Sequence, residues 1–164
     1  LPGPGRRFVT AGRLTRQKGF DRLIALFGQD ESDDHLLILG DGPAREALAA
    51  LAGPRVTLHG HEPEPWPWMA GADALLLPSR WEGLANVALE ALACGTPVIA
   101  TPESGGIAEL AVAAPEGAVT IATWGEAFAK AMAATRPGDG SCLLPQTYES
   151  AAVAHRLMAI LGEC

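Results

Sequence analysis

The sequence has no run of 18 consecutive apolar residues, so no segment reads as a membrane-spanning helix. Cysteine is scarce. Cys94, Cys142 and Cys164 are odd in number and widely spaced, which fits a reducing compartment and no metal framework. His59 and His61 stand at i and i+2, but no third ligand clusters with them, so no metal site is expected. Lysine is scarcer still: Lys18 and Lys130 are the only two. A complete Gly-x-Gly-x-x-Gly is absent, because Arg45 stands where the third glycine would follow Gly40 and Gly42. That excludes a nicotinamide fingerprint. An excess of positive charge is absent as well. A net charge of −7 argues against a general nucleic-acid binder. No internal repeat or low-complexity tract occurs.

What is present is enough for one domain with a full core: 164 residues, 48% of them apolar. The domain reading is residues 1–164, with Leu1-Pro2-Gly3-Pro4-Gly5 as a linker or cut point. Positive charge concentrates near the start. Arg6, Arg7, Arg13, Arg16, Lys18 and Arg22 face one acid, Asp21. Such a basic patch on an acidic chain suits either an anionic small ligand or a basic interdomain surface.

Apolar strands alternate with amphipathic segments. Residues 7–13 read as a strand ending in the Gly12 turn. Phe20, Leu23, Ile24 and Phe27 recur at helical spacing. Residues 36–39, 55–61, 73–78, 97–101 and 117–121 read as further strands, the last with uncertain register. Helices are expected over 44–51, 124–134 and 148–158. Pro63, Pro65 and Pro67 shorten or delay the helix between the third and fourth strands. Trp66 and Trp68 read as core by default. This alternation implies an α/β fold, a doubly wound parallel sheet with right-handed crossovers. Ligands of such sheets bind at the carboxyl ends of the strands.

The stretch Ser79 to Ala100 carries the most chemistry. Glu82 and Glu90 are separated by seven residues, the first before or at a helix start and the second within that helix, and Gly95-Thr96-Pro97-Val98 follows. Eight helical rises would place the two carboxylates roughly 12 Å apart. A helix N-terminus between them suits a ligand with a phosphate in the middle and hydroxyls on both sides. A pair of glutamates alone reads as a solvated helix face.

In order along the chain, Gly12-Arg13 with Lys18-Gly19, Gly40-Asp41-Gly42-Pro43, His59-Gly60-His61, Ala72-Asp73 and Glu82…Glu90 with Gly95-Thr96-Pro97-Val98 resemble the retaining glycosyltransferases of the GT-B architecture, group 1 or family 4. Glu82-Gly83-Leu84-Ala85-Asn86-Val87 is most similar to members acting on lipopolysaccharide and capsular chains. The resemblance covers about residues 6–125 and implies a Rossmann-like domain, the C-terminal half of a GT-B enzyme. Its partner, the N-terminal acceptor domain, lies outside this sequence. It implies Arg13 and Lys18 on the donor diphosphate and Glu82 on the donor sugar hydroxyls, these three being the catalytic candidates. It implies Glu90 on the ribose 2′- and 3′-hydroxyls. The backbone of Gly83, Leu84, Ala85 and Asn86 would face the phosphates and the sugar. Gly12 and Gly40 would permit close approach, and His59, Gly60 and His61 would meet the base.

The implied activity is transfer of a sugar from a nucleotide-diphosphate sugar to a glycan or lipid-linked acceptor, with no cofactor and no metal. The implied setting is polysaccharide or lipopolysaccharide biosynthesis in the cytoplasm, with the full-length protein at the inner face of the membrane. The domain alone is expected to be inactive. A non-catalytic nucleotide-sugar-binding module, an epimerase and a phosphorylase remain as alternatives.

Overall fold

The computed structural model describes residues 5–29, 32–136, 138, 140–145 and 148. Six strands form one sheet: β1 (Arg7–Ala11), β2 (His35–Leu39), β3 (Val56–Gly60), β4 (Ala74–Leu77), β5 (Val98–Ala100) and β6 (Val119–Ile121). Their order is β3-β2-β1-β4-β5-β6, and every pairing is parallel. The helices are α1 (Phe20–Gln29), α2 (Arg45–Leu51), α3 (Trp66–Ala70), α4 (Asn86–Ala93), α5 (Ile107–Ala113) and α6 (Glu126–Ala134). No described helix is long and apolar enough to cross a membrane.

The central strands are buried on both faces, which is why they are continuous apolar runs rather than alternating ones. Residues Leu36–Leu39 and Ala74–Leu77 are all buried. One face packs against α3, α4 and α5 through Met69, Leu89, Leu92 and Leu110. The other packs against α1, α2 and α6 through Phe20, Leu23, Leu48 and Phe128. Chain direction reverses its winding between β1 and β4, so a crevice opens where the loops after these two strands part.

Several boundaries differ from the sequence reading. Residues 16–18 form a 3₁₀ turn closed by Gly19 in the left-handed conformation, and α1 begins only at Phe20. The short α3 does begin after Pro65, with Pro67 in its first turn. Trp66 packs on the core, but Trp68 is exposed, against the core reading. The expected helix over 148–158 lies outside the described residues apart from Tyr148. Cys94 is a free thiol, whereas Cys142 is disulfide-bonded, which departs from the expectation that the cysteines stay reduced.

The basic patch also divides. Arg6 pairs with buried Asp34, Nη2 to Oδ2 at 2.6 Å, and the Arg7 backbone N–H donates to Asp73 Oδ2 at 2.6 Å. Both therefore hold the start of β1, at the end of the sheet remote from its carboxyl edge. Arg22 lies over the Trp124 ring at 5.5 Å. Of the six cations, Arg13, Arg16 and Lys18 stand at the ligand-binding edge.

Leu76 is fully buried between the sheet and the α1 face. Leu76→Ala is expected to cost about 3–5 kcal/mol, read as a lower midpoint in denaturant unfolding with little change in slope.

Candidate functional site

Two loops flank the crevice. One runs from Gly12 to Gly19 after β1, and the other from Pro78 to Ala85 after β4. Arg80 ties them together. Its backbone N–H donates to Gln17 O at 2.8 Å, and its guanidinium donates to Arg16 O at 2.8 Å. The same guanidinium grips Asp21 with two bonds, both 2.7 Å. The Gln17 side-chain amide donates to Trp81 O at 3.0 Å. Asp21 is held below the ordinary carboxylate range, first by its hydrogen bond to Arg80. The pair was missed in the sequence, where Asp21 counted only as a lone acid among cations.

This tie brings Lys18 and Glu82 into direct contact, Nζ on Oε1. The Ser79 hydroxyl donates to the other carboxylate oxygen of Glu82 at 2.9 Å. Both partners are largely enclosed, with side-chain exposures of 17% and 11%. The aliphatic end of Lys18 crosses Gly12, where a Cβ would lie 3.2 Å from Cε. Arg13 is exposed on the same loop.

Gly105 supports the Glu82 backbone from below. A Cβ there would stand 1.9 Å from Glu82 O, and its φ is +37°. Gly40 is closed in the same manner, its absent Cβ 2.0 Å from Gly12 O. The close approach expected at Gly40 is thus one loop backbone on another.

Glu82 lies four residues ahead of α4, in non-helical chain, so eight helical rises do not separate it from Glu90. Asn86 is the first residue of the helix, Ala85 is its buried N-cap, and no side chain caps it. Gly83 and Leu84 are exposed on the loop. Glu90 is half-buried one turn into α4. Burial pushes its carboxyl above the ordinary range. Burial, with the nearby Glu90 charge, pushes the Cys94 thiol up to about 11.

At the far end of the edge, Gly60 closes β3 and accepts from the Gly40 N–H at 2.6 Å. His59 is stacked on Trp68, ring centroids 5.0 Å apart, and its Nε2 lies 3.1 Å from Glu62 Oε2. Trp68 Nε1 donates to the same oxygen at 3.3 Å. Its imidazole is thus committed to protein partners, while His61 is exposed. Lys18 and Glu82 are in contact. Arg13, Gly83, Leu84 and Ala85 share their two loops, Asn86 opens α4 beside them, and Gly12, Gly40 and Gly60 form the floor.

A family model for group 1 glycosyl transferases matches residues 5–135. The chain belongs to that family. It is 35% identical over 102 residues to the lipopolysaccharide core biosynthesis glycosyltransferase LpsE of Rhizobium meliloti, covering 59% of this chain and 30% of the relative. The fold matches the lipopolysaccharide outer core galactosyltransferase WaaB in its apo form, TM-score 0.71 at 24% identity, over 96% of this chain and 49% of that one. It also matches Anabaena Alr3699/HepE in complex with UDP-glucose, TM-score 0.66 at 24% identity, over 96% of this chain and 44% of that one. This glycosyltransferase domain therefore spans about a third to a half of the length of these relatives. The α/β, Rossmann-like sheet expected from the sequence is the sheet observed.

Two outcomes test this geometry. Gly105→Ala is expected to destabilise the domain by at least ~2 kcal/mol, because the new Cβ meets the Glu82 carbonyl in a left-handed backbone. Gly83→Ala, which meets nothing within 4 Å, should stay within ~0.5 kcal/mol. For Glu90, a folded-state pKa above the unfolded one favours the protonated fold, so stability is lost as pH rises through that window. Glu90→Gln should therefore raise the ligand-free melting temperature more at pH 7.5 than at pH 4.5 in calorimetric scans.

Proposed function

We propose that the protein transfers a sugar from a nucleotide-diphosphate sugar to a hydroxyl of a glycan or lipid-linked acceptor, and that this domain holds the donor. The contact of Lys18 with Glu82, in the loop ahead of the uncapped start of α4, carries the reading. It puts a cation for a phosphate and a carboxylate for a hydroxyl at one point of the crevice. The match to a solved chain holding UDP-glucose supports the donor class, and the match to a lipopolysaccharide core enzyme supports the setting.

In this reading the diphosphate lies over the first turn of α4, where free N–H groups and the helix dipole favour an anion. As the bond from the anomeric carbon to the diphosphate oxygen breaks, its electron pair stays on the diphosphate, while the acceptor hydroxyl oxygen bonds to the anomeric carbon and its proton passes to the departing diphosphate oxygen. Arg13 and Lys18 neutralise that charge without a divalent ion. Lys18 turns from Glu82 toward the phosphate, which frees Glu82 Oε1 to accept from a sugar hydroxyl. Ser79 keeps the other oxygen oriented. Glu90 accepts from the vicinal ribose hydroxyls, a contact that offsets the desolvation of its charge. The anomeric configuration is retained, as the family resemblance implies, and the acceptor reaches the crevice from the N-terminal half of the full-length protein.

The test is calorimetric titration of the full-length protein with UDP, GDP and ADP and with their nucleosides, in magnesium and in chelator. Arg13→Ala and Lys18→Ala should each weaken the preferred diphosphate about 10- to 100-fold while its nucleoside changes less than about 3-fold. Equal losses for diphosphate and nucleoside, or binding that requires magnesium, would sink the assigned roles.

A further inference from the structure

Arg45 opens α2, just past the glycine turn that follows β2. Its backbone N–H donates to Gly42 O at 3.1 Å. Its guanidinium lies against Gly60, the last residue of β3. The side on which a Cβ would stand is 3.5 Å from Nη1 and 3.8 Å from Nη2. Nη1 is buried and has no hydrogen-bond partner. Among the described residues, no carboxylate or carbonyl meets this guanidinium at all. The residue as a whole is only partly enclosed.

A guanidinium nitrogen, which can only donate, carries an unmet desolvation cost when it is drawn from water without a partner, as Nη1 is here. A ligand that supplies acceptors removes that cost, so binding there is favoured over empty solvent. Two of the neighbouring groups are already engaged. The His59 ring is held by Glu62 and Trp68, and the Gly60 carbonyl accepts from the Gly40 N–H. The position also fits one end of a nucleotide. β3 stands two strands out from β1, roughly 10 Å away along the edge on which Lys18 sits.

We infer that Arg45 reads the base of the donor, and that it selects a base with an outward carbonyl, uracil or guanine, over adenine. Guanine presents O6 and N7, and uracil its carbonyl oxygens, all acceptors for a guanidinium fork. Adenine presents an amino group where guanine has O6, which sets donor against donor. The inference rests on the nucleotide-sugar reading above and deepens it to the class of base.

The test is titration of the full-length protein and its Arg45→Met and Arg45→Lys variants with UDP, GDP, ADP and the three nucleosides. The wild type should bind UDP or GDP at least about tenfold tighter than ADP. Arg45→Met should reduce that ratio to less than about threefold, with the nucleoside losing the same factor as its diphosphate. Arg45→Lys, which keeps the charge but not the fork, should recover only part of the ratio. A purely structural role would weaken all three diphosphates alike, and the ratio within one variant is insensitive to general destabilisation. An unchanged ratio in Arg45→Met, or ADP bound tightest by the wild type, overturns the inference and leaves the nucleotide-sugar reading standing. No binding of any diphosphate by the wild type overturns that reading and this inference together.

Discussion

The site depends on the grip of Arg80 on the loop after β1. At the switch point the chain leaves β1 toward one face of the sheet and leaves β4 toward the other. The two loops would splay if nothing crossed the crevice. Arg80 crosses it with a backbone bond to Gln17, a bond to the Arg16 carbonyl and a two-pronged pair with Asp21. A planar guanidinium suits this work, because one rigid fork can satisfy a carboxylate in two places at once. Gly19 completes the closure, since a Cβ there would lie 2.1 Å from the Pro78 carbonyl. Lys18 meets Glu82 only because the loops are held at this separation.

Charge is arranged so that some pairs are structural and others await exchange. Arg6 with Asp34 and Arg7 with Asp73 fasten the amino end of β1, where no ligand needs them. At the carboxyl end the pairing is incomplete. Lys18 and Glu82 neutralise each other, yet each has the chemistry to exchange its partner for a phosphate or a hydroxyl. Glu90 has its carboxyl raised by burial, and Arg45 has no partner among the described residues. Unmet polar groups in a half-dry crevice are destabilising in isolation and favour whatever completes them.

Much of this was legible in the sequence. Leu36-Leu37-Ile38-Leu39 and Ala74-Leu75-Leu76-Leu77 are too short and too uniformly apolar for surface helices, and they became central strands. The spacing of Phe20, Leu23, Ile24 and Phe27 marked the buried face of α1. Charge counting was less reliable, because six cations near in sequence are not near in space. A strand of five residues carries Arg7 and Arg13 to opposite ends of the sheet, about 3.3 Å per residue apart. Glu82 stands before the helix and Glu90 within it, one of the placements the sequence allowed, but eight helical rises do not measure their separation, because Glu82 is held by Lys18 and Ser79 in loop conformation.

The sequence by itself determined the alternation of elements, the parallel sheet and the family, since these follow from local periodicity, turn residues and short motifs. Tertiary structure alone decided which charges meet. Asp21 with Arg80 and Lys18 with Glu82 lie 59 and 64 residues apart in sequence. No local pattern encodes such contacts. They exist because the switch in winding sets two loops face to face, and packing on both faces of the sheet holds them there. The orphaned Nη1 of Arg45 is of the same kind. That it lacks a partner is a property of the enclosure around it, and the residue name alone could not reveal it.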